Sequence, residues 1–127
     1  MDRRAARIQV VQVLYLQRSG SLIWEDALSR FLEMGEPMDG WAQQLFLGVN
    51  DSLQAIDQRI QGVSHNWRLE RISWVDLSIL RLGTFELQSG TEPAIVINEA
   101  VEIARQFGDE KSPAFVNGLL DAIAKQL

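Results

Sequence analysis

The most constraining feature of this sequence is an apolar residue at every third or fourth position along most of its length. That spacing matches the turn of an α-helix, whereas a half-buried strand would alternate apolar and polar residues. The longest such stripe comprises Trp41, Leu45, Val49, Leu53, Ile56 and Ile60. Similar stripes run through residues 72–82 and 96–107. The pattern predicts an all-α fold and requires no strand.

Segments rich in glycine, proline and serine divide these stripes into helical lengths. The predicted helices span residues 3–18, 22–34, 40–61, 74–88, 94–107 and 113–126, with one further turn at 67–71. Asp39 and Ser112 are placed as N-caps, and Ser73 with Asp76 forms the carboxylate version of a capping box. Gly108 is placed as the left-handed residue that closes the preceding helix.

Two glycines, Gly83 and Gly118, lie inside predicted helices, where glycine lowers helix propensity. We expect both to let neighbouring helices approach closely. The four tryptophans are expected in the core. A chain of 127 residues is long enough to form one domain around such a core without metals or disulfides.

Several classes of active site are excluded by the composition. The chain has no cysteine, so it has no disulfide, thiolate metal site or cysteine nucleophile. His65 is the only histidine, which rules out a histidine metal cluster. Glu99 and Glu102 share a helix face, but a solvated face explains that spacing better than acid–base chemistry. We expect no enzymatic activity, no cofactor and no metal site.

No apolar run approaches the ~18 residues that a membrane-spanning helix needs. The amino terminus also lacks the hydrophobic segment and small-residue cleavage site of a signal peptide. The sequence is therefore expected to be that of a cytoplasmic protein that does not associate with membranes.

Charge is unevenly distributed along the chain. The first 18 residues carry four arginines and one aspartate, whereas the remainder carries 8 basic and 16 acidic residues. On a helix, Arg3, Arg4 and Arg7 fall on one face with Tyr15 close beside them. Cations at a helix amino terminus oppose the helix dipole by about 0.3–1 kcal/mol each. The arrangement suggests an anionic partner, and a merely solvated helix start is the alternative.

A second candidate surface lies at the start of the last predicted helix. Free backbone N–H groups there favour an anion, Lys111 adjoins them, and the ring of Phe115 offers a surface for base stacking. The alternative places Phe115 in the core and Lys111 in water.

Three stretches resemble the NusB family of transcription antitermination factors. They are INEAVEIARQFGDEKSPAFVNGLLDAIA near the carboxy terminus, LERISWVDLSILRLGTFEL before it, and the opening RRAARIQVVQVLY. The three occur in the family's order and the resemblance covers nearly the whole chain. The segment from Ser19 to Gly62 matches only as helices of suitable length.

The resemblance implies a fold of two small packed helical bundles with six to seven helices. The amino-terminal subdomain would span about 1–62 and the carboxy-terminal subdomain about 63–127. It also implies a non-enzymatic role in transcription antitermination. Members of the family pair with a small-subunit ribosomal protein that doubles as the factor NusE. The pair binds single-stranded boxA RNA in nascent transcripts, notably ribosomal RNA leaders, and joins RNA polymerase with the other Nus factors.

Carried over by position, the resemblance implies RNA contacts from Arg3, Arg4, Arg7, Tyr15, Lys111 and Phe115. Asp76 matches an acidic position near the face that receives the ribosomal protein, although its capping role competes with that assignment. Ala5 stands where many relatives carry another basic residue.

Two other functions compete with this interpretation. One is a structural helical homodimer with no role in RNA binding. The other is an isolated RNA-binding module of a ribosomal RNA cytosine methyltransferase, which has the same fold but requires a catalytic domain that this sequence does not contain.

Overall fold

The computed structural model describes residues 1–127 and contains seven α-helices, one 3₁₀ turn and no strand. The helices are α1 (Arg3–Ser19), α2 (Trp24–Glu33), α3 (Gly40–Asp51), α4 (Leu53–Val63), α5 (Trp74–Gln88), α6 (Pro93–Phe107) and α7 (Ser112–Lys125), and the 3₁₀ turn is Leu69–Arg71. The all-α prediction is confirmed. None of these helices has the length and apolar character that crossing a bilayer requires.

The predicted helix at 40–61 is wrong, because the chain breaks there into α3 and α4. The break falls at Ser52, whose backbone leaves helical geometry with φ −114° and ψ 16°. The preceding Asn50 and Asp51 also have low helix propensity, since their short polar side chains compete for backbone hydrogen bonds. The apolar stripe continues across the break, so its period gave no sign of the change in direction.

Helix α5 forms the centre of the molecule. Every residue from Asp76 to Thr84 is buried, and α1, α3, α4, α6 and α7 all pack against this helix. Gly83 permits the contact with α7, because a Cβ at that position would lie 2.8 Å from the Leu120 side chain. Gly118 was also expected to permit a close helix contact, and that expectation was wrong. Gly118 is exposed, and a Cβ at its position would have no neighbouring atom within 4 Å.

Helix ends follow the predicted signals in part. The Asp39 carboxylate accepts hydrogen bonds from the backbone N–H groups of Trp41 and Ala42, and Ser73 Oγ accepts one from Asp76. Gly108 does not adopt the predicted left-handed conformation, since its φ is −89° and its ψ is −171°. It instead makes room for the next helix, because a Cβ there would lie 2.4 Å from Ser112 Oγ.

The tryptophans also depart from the prediction. Trp24, Trp67 and Trp74 are exposed, and Trp41 is only partly buried. The core is instead filled mainly by branched aliphatic side chains. The division into subdomains near residue 62 remains a prediction, since α5 contacts helices on both sides of that boundary.

Candidate nucleic-acid interface

The first turn of α1 carries two exposed arginines. Asp2 caps the helix, with its carboxylate accepting a hydrogen bond of 2.7 Å from the Ala5 N–H. The Arg3 guanidinium lies over the Trp41 ring, 4.0 Å from its centroid, in a cation–π contact. The Arg4 Nε–H donates to Glu99 Oε2 on α6 at 2.6 Å. Both guanidinium groups are therefore held at the surface, close to the start of the helix.

Arg7 lies one turn further along and points into the protein. It is 5% exposed, and its guanidinium forms a bidentate pair with the buried carboxylate of Glu86 on α5, with contacts of 2.8 and 2.9 Å. A Glu99 carboxylate oxygen lies 3.8 Å from its Nη1 atom. Arg7 thus joins α1 to α5, and in this conformation its donors face carboxylates rather than an RNA strand.

These contacts change the electrostatic argument for an external anion. Two of the three arginines have acidic partners within the fold, Arg4 in Glu99 and Arg7 in Glu86, whereas Arg3 lies over the Trp41 ring. Part of the anionic partner that the sequence suggested is therefore the protein's own acidic side chains.

An apolar groove of about 600 Å³ runs along α1, next to the arginines at the start of this helix. Tyr15 and Ile8 line one wall, and Phe31, Val75 and Phe107 line the others. Tyr15 is exposed at the rim, where its ring meets that of Trp74 edge-on at a centroid distance of 6.0 Å.

The groove connects the start of α1 with the region before α7. Ile8 belongs both to the groove and to a smaller cleft lined by Arg3, Arg4 and Glu99. At the other end, exposed Phe107 lies four residues before Lys111, so their Cα atoms are within about 14 Å. The groove therefore runs from beside the arginines of α1 to the end of α6, just before the turn that carries Lys111.

Lys111 and Phe115 occupy different environments at the start of α7. Lys111 is exposed, whereas Phe115 is partly buried and packs against the core. Ser112 was predicted as the N-cap but is the first helical residue. The turn is organised by Asp109, whose Oδ1 atom accepts hydrogen bonds from the N–H groups of Lys111 and Ser112. This carboxylate occupies the position where an anion would otherwise meet free N–H groups.

Asp76 lies where the starts of α5 and α7 meet. It is buried, and its Oδ1 atom has no hydrogen-bond partner. Burial raises the pKa of the Asp76 carboxyl above its ordinary value, the hydroxyls of Ser112 and Ser73 oppose that rise, and the charge of Asp109 adds to it. A buried carboxylate oxygen without a donor is costly, so Asp76 lowers the stability of the fold while it is ionised.

Sequence reasoning missed two acidic residues that organise this surface. Glu86 was not singled out, and Glu99 was interpreted as part of a solvated face. The sequence separations are 79 residues for Arg7 with Glu86 and 95 for Arg4 with Glu99, far beyond any helical spacing rule. The excess of acidic residues after position 18 was the only available signal.

Fold and surface together define a small all-helical protein with a cationic and aromatic face suited to a nucleic-acid strand. The chain belongs to the NusB family, whose sequence model matches residues 4–125. The resemblance drawn from three motifs is confirmed.

Curated relatives named transcription antitermination protein NusB are similar over nearly the full length. The protein of Anaeromyxobacter dehalogenans strain 2CP-1 is 42% identical, with 98% of this chain and 92% of the relative covered. That of Bacillus cereus strain B4264 is 40% identical, with 100% of both chains covered.

Solved structures agree with this assignment. NusB of T. maritima is 34% identical, with a TM-score of 0.86 over 99% of this chain and 92% of that one. A crystal structure of antitermination factors NusB and NusE in complex with double-stranded RNA contains a chain that is 27% identical. Its TM-score is 0.86, with 98% of this chain and 97% of that chain covered.

Proposed function

We propose that this protein is a transcription antitermination adaptor that binds boxA-type single-stranded RNA in nascent transcripts, notably ribosomal RNA leaders. It would pair with the NusE-type small-subunit ribosomal protein and join the RNA polymerase antitermination complex with other Nus factors. It would act in the cytoplasm and by binding rather than catalysis. The names of its relatives, and the solved NusB–NusE complex with RNA, support this proposal.

The observation that carries the proposal is the groove along α1, which runs from beside Arg3 and Arg4 to Phe107, just before the turn that carries Lys111. Arg3 and Arg4 supply exposed guanidinium groups at one end, and Lys111 supplies an ammonium group at the other. Tyr15 presents an accessible ring between them. Cations along a strand's backbone with aromatic rings for its bases are what single-stranded RNA binding requires.

Within that surface the candidate residues take different roles. Arg3, Arg4 and Lys111 would contact phosphates, and Tyr15 would stack on a base or sugar. Phe115 would present only its exposed edge, since the rest of the ring packs against the core. Arg7 would act by fixing α1 against α5, because its guanidinium is committed to Glu86.

The ribosomal protein would bind near Asp76. This assignment follows the family's acidic position alone, since the Asp76 side chain is buried and offers no exposed acceptor. The net charge of −8 beyond residue 18 would also attract a basic ribosomal protein and accelerate the encounter.

The test compares two variants that each lose two positive charges. Arg3→Ala with Arg4→Ala removes the proposed phosphate contacts, whereas Arg59→Ala with Lys125→Ala removes charges from α4 and from the far end of α7. Titration with single-stranded boxA RNA, with and without the ribosomal protein, is repeated at several salt concentrations. We expect the first variant to bind more weakly. The negative slope of its log K against log salt should be shallower than the wild-type slope by about 1.4.

The control variant should keep the wild-type slope. Equal RNA affinity and salt dependence in both variants would refute the surface at α1. If wild-type protein bound no RNA in either the presence or the absence of the ribosomal protein, the structural homodimer would become the better explanation.

A further inference from the structure

Glu99 holds an unusual position beside the proposed RNA surface. A cleft of about 470 Å³ separates the start of α1 from α6, and Arg3, Arg4, Ile8 and Glu99 line it. Within this cleft the Glu99 carboxylate projects from α6 toward the arginines of α1. It is the acidic group in closest contact with an exposed arginine of that surface, at 2.6 Å from Arg4 Nε.

The two partners of this contact differ in their freedom to move. The Arg4 side chain is 46% exposed, whereas that of Glu99 is 18% exposed and has its second oxygen 3.8 Å from Arg7. The carboxylate is therefore anchored near the protein interior and the guanidinium lies at the solvent boundary. An incoming phosphate at Arg4 meets a guanidinium whose Nε–H is already donated to this fixed carboxylate, so the two anions compete for the same group.

Glu99 is not required to neutralise the buried arginine. Arg7 already has a bidentate partner in Glu86, which lies on the opposite helix and is itself buried. The Arg4–Glu99 pair adds little to folding stability, because solvent screens it at the half-exposed Arg4 guanidinium and ordering long side chains costs entropy. Stability alone therefore gives a weak reason for a carboxylate at this position.

We propose that Glu99 is an affinity-determining residue of the RNA site, an internal anion that holds the Nε–H of Arg4 and competes with an RNA phosphate for this guanidinium. This inference rests on the proposed function, since it assumes that Arg4 meets the RNA backbone. Binding then exchanges the carboxylate for a phosphodiester at Nε–H, or places both anions on one guanidinium. The free-energy gain of that contact is reduced by the loss of the Arg4–Glu99 pair and by the repulsion between phosphate and the carboxylate left behind.

A matched control lies three residues away on the same helix. Glu102 carries the same charge and also lies near the arginines, but its carboxylate pairs with Arg105. Glu99→Gln and Glu102→Gln therefore change the net charge equally and differ in whether Arg4 is released. Any difference between them reports the contact rather than the overall charge.

The experiment measures the affinity of the full-length variants for single-stranded boxA RNA in low salt. Glu99→Gln should bind about three- to fivefold more tightly than wild type, and Glu102→Gln should stay within about 1.5-fold. The gain should disappear when Glu99→Gln is combined with Arg4→Ala. Glu99→Asp, which keeps the charge but shortens its reach by one methylene, should give an intermediate gain and provides a second test if Glu99→Gln folds poorly.

The outcomes separate this inference from the proposed function. If Arg4→Ala weakens RNA binding and Glu99→Gln binds like Glu102→Gln, the RNA surface stands and the role of Glu99 is refuted. A gain from Glu99→Gln that persists without Arg4 would likewise refute the exchange. If Arg4→Ala has no effect on wild-type affinity, the proposed surface fails, and the inference fails with it.

Discussion

The buried pair between Arg7 and Glu86 makes a sharp prediction about stability. Replacing Arg7 by Met keeps much of the side-chain volume but leaves the Glu86 carboxylate, which is 3% exposed, without its bidentate partner. Breaking a buried ion pair from one side typically costs about 3–5 kcal/mol, because a charge is left desolvated and unpaired. We expect Arg7→Met to lower the free energy of unfolding by that amount, measured by urea denaturation.

The reciprocal substitution should cost less. Glu86→Gln leaves Arg7 buried, but the Glu99 carboxylate at 3.8 Å continues to offset part of its charge. The double variant Arg7→Met with Glu86→Leu should recover most of the stability, since replacing both charges removes the desolvation cost as well as the attraction. Arg7→Met, Glu86→Leu and their double variant form a double-mutant cycle, which should give a coupling of about 3 kcal/mol.

This cycle also tests the assignment of Arg7. An unchanged free energy of unfolding in Arg7→Met would refute the reasoning, because it would mean that the guanidinium is not committed to the interior. Arg7 would then be available to RNA, as its position in the family's arginine-rich opening implies. A large loss of stability instead means that RNA-binding defects of Arg7 variants must be corrected for unfolding before they are interpreted as lost contacts.

Two further predictions concern Asp76 and the helix glycines. The pKa of Asp76 is raised in the folded protein, so between the unfolded and folded pKa values the folded protein binds more protons, and stability falls as pH rises through that window. Asp76→Asn should therefore raise the melting temperature at neutral pH, with a gain that shrinks on acidification. A gain independent of pH would contradict this cause. Gly48→Ala should destabilise the fold by about 1–3 kcal/mol, since a Cβ there would lie 2.3 Å from the Phe85 ring. Gly118→Ala, with nothing within 4 Å of its Cβ, should stabilise the fold by about 0.5–1 kcal/mol in the same thermal melts. Similar effects at both glycines would show that the α3–α5 contact adjusts freely.

Local patterns predicted the helices well and their relative placement poorly. The bounds of α1, α5, α6 and α7 agree with the periodicity to within one residue at each end, because each stripe and its breakers are properties of neighbouring residues. The break at Ser52 escaped prediction, since a stripe can continue across a change in helix direction. Exposed Trp74 was placed in the core for a related reason, because residue type alone does not say which face a neighbouring helix will cover.

The arginines of the candidate site could be predicted from the sequence, whereas the acidic residues that contact α1 could not. Arg3 and Arg4 stand out because they are adjacent in sequence, and their resemblance to a known motif made them specific. Glu86 and Glu99 belong to helices that meet α1 only after the chain has folded. No spacing rule links residues so far apart, so the acidic partners of these arginines could not be predicted from the sequence.

That pairing gives the uneven charge of the sequence a second explanation. The basic opening and the acidic remainder are complementary within one molecule, since Glu86 on α5 and Glu99 on α6 both receive arginines of α1. The two pairs differ in the way that matters for binding: Arg7 is sealed inside and fixes the helix, while Arg4 stays at the solvent boundary. A helix anchored by its buried arginine can present its exposed ones in a fixed geometry. The same charge separation can therefore serve folding at Arg7 and the proposed RNA contacts at Arg3 and Arg4, and substitutions at these positions would separate the two uses.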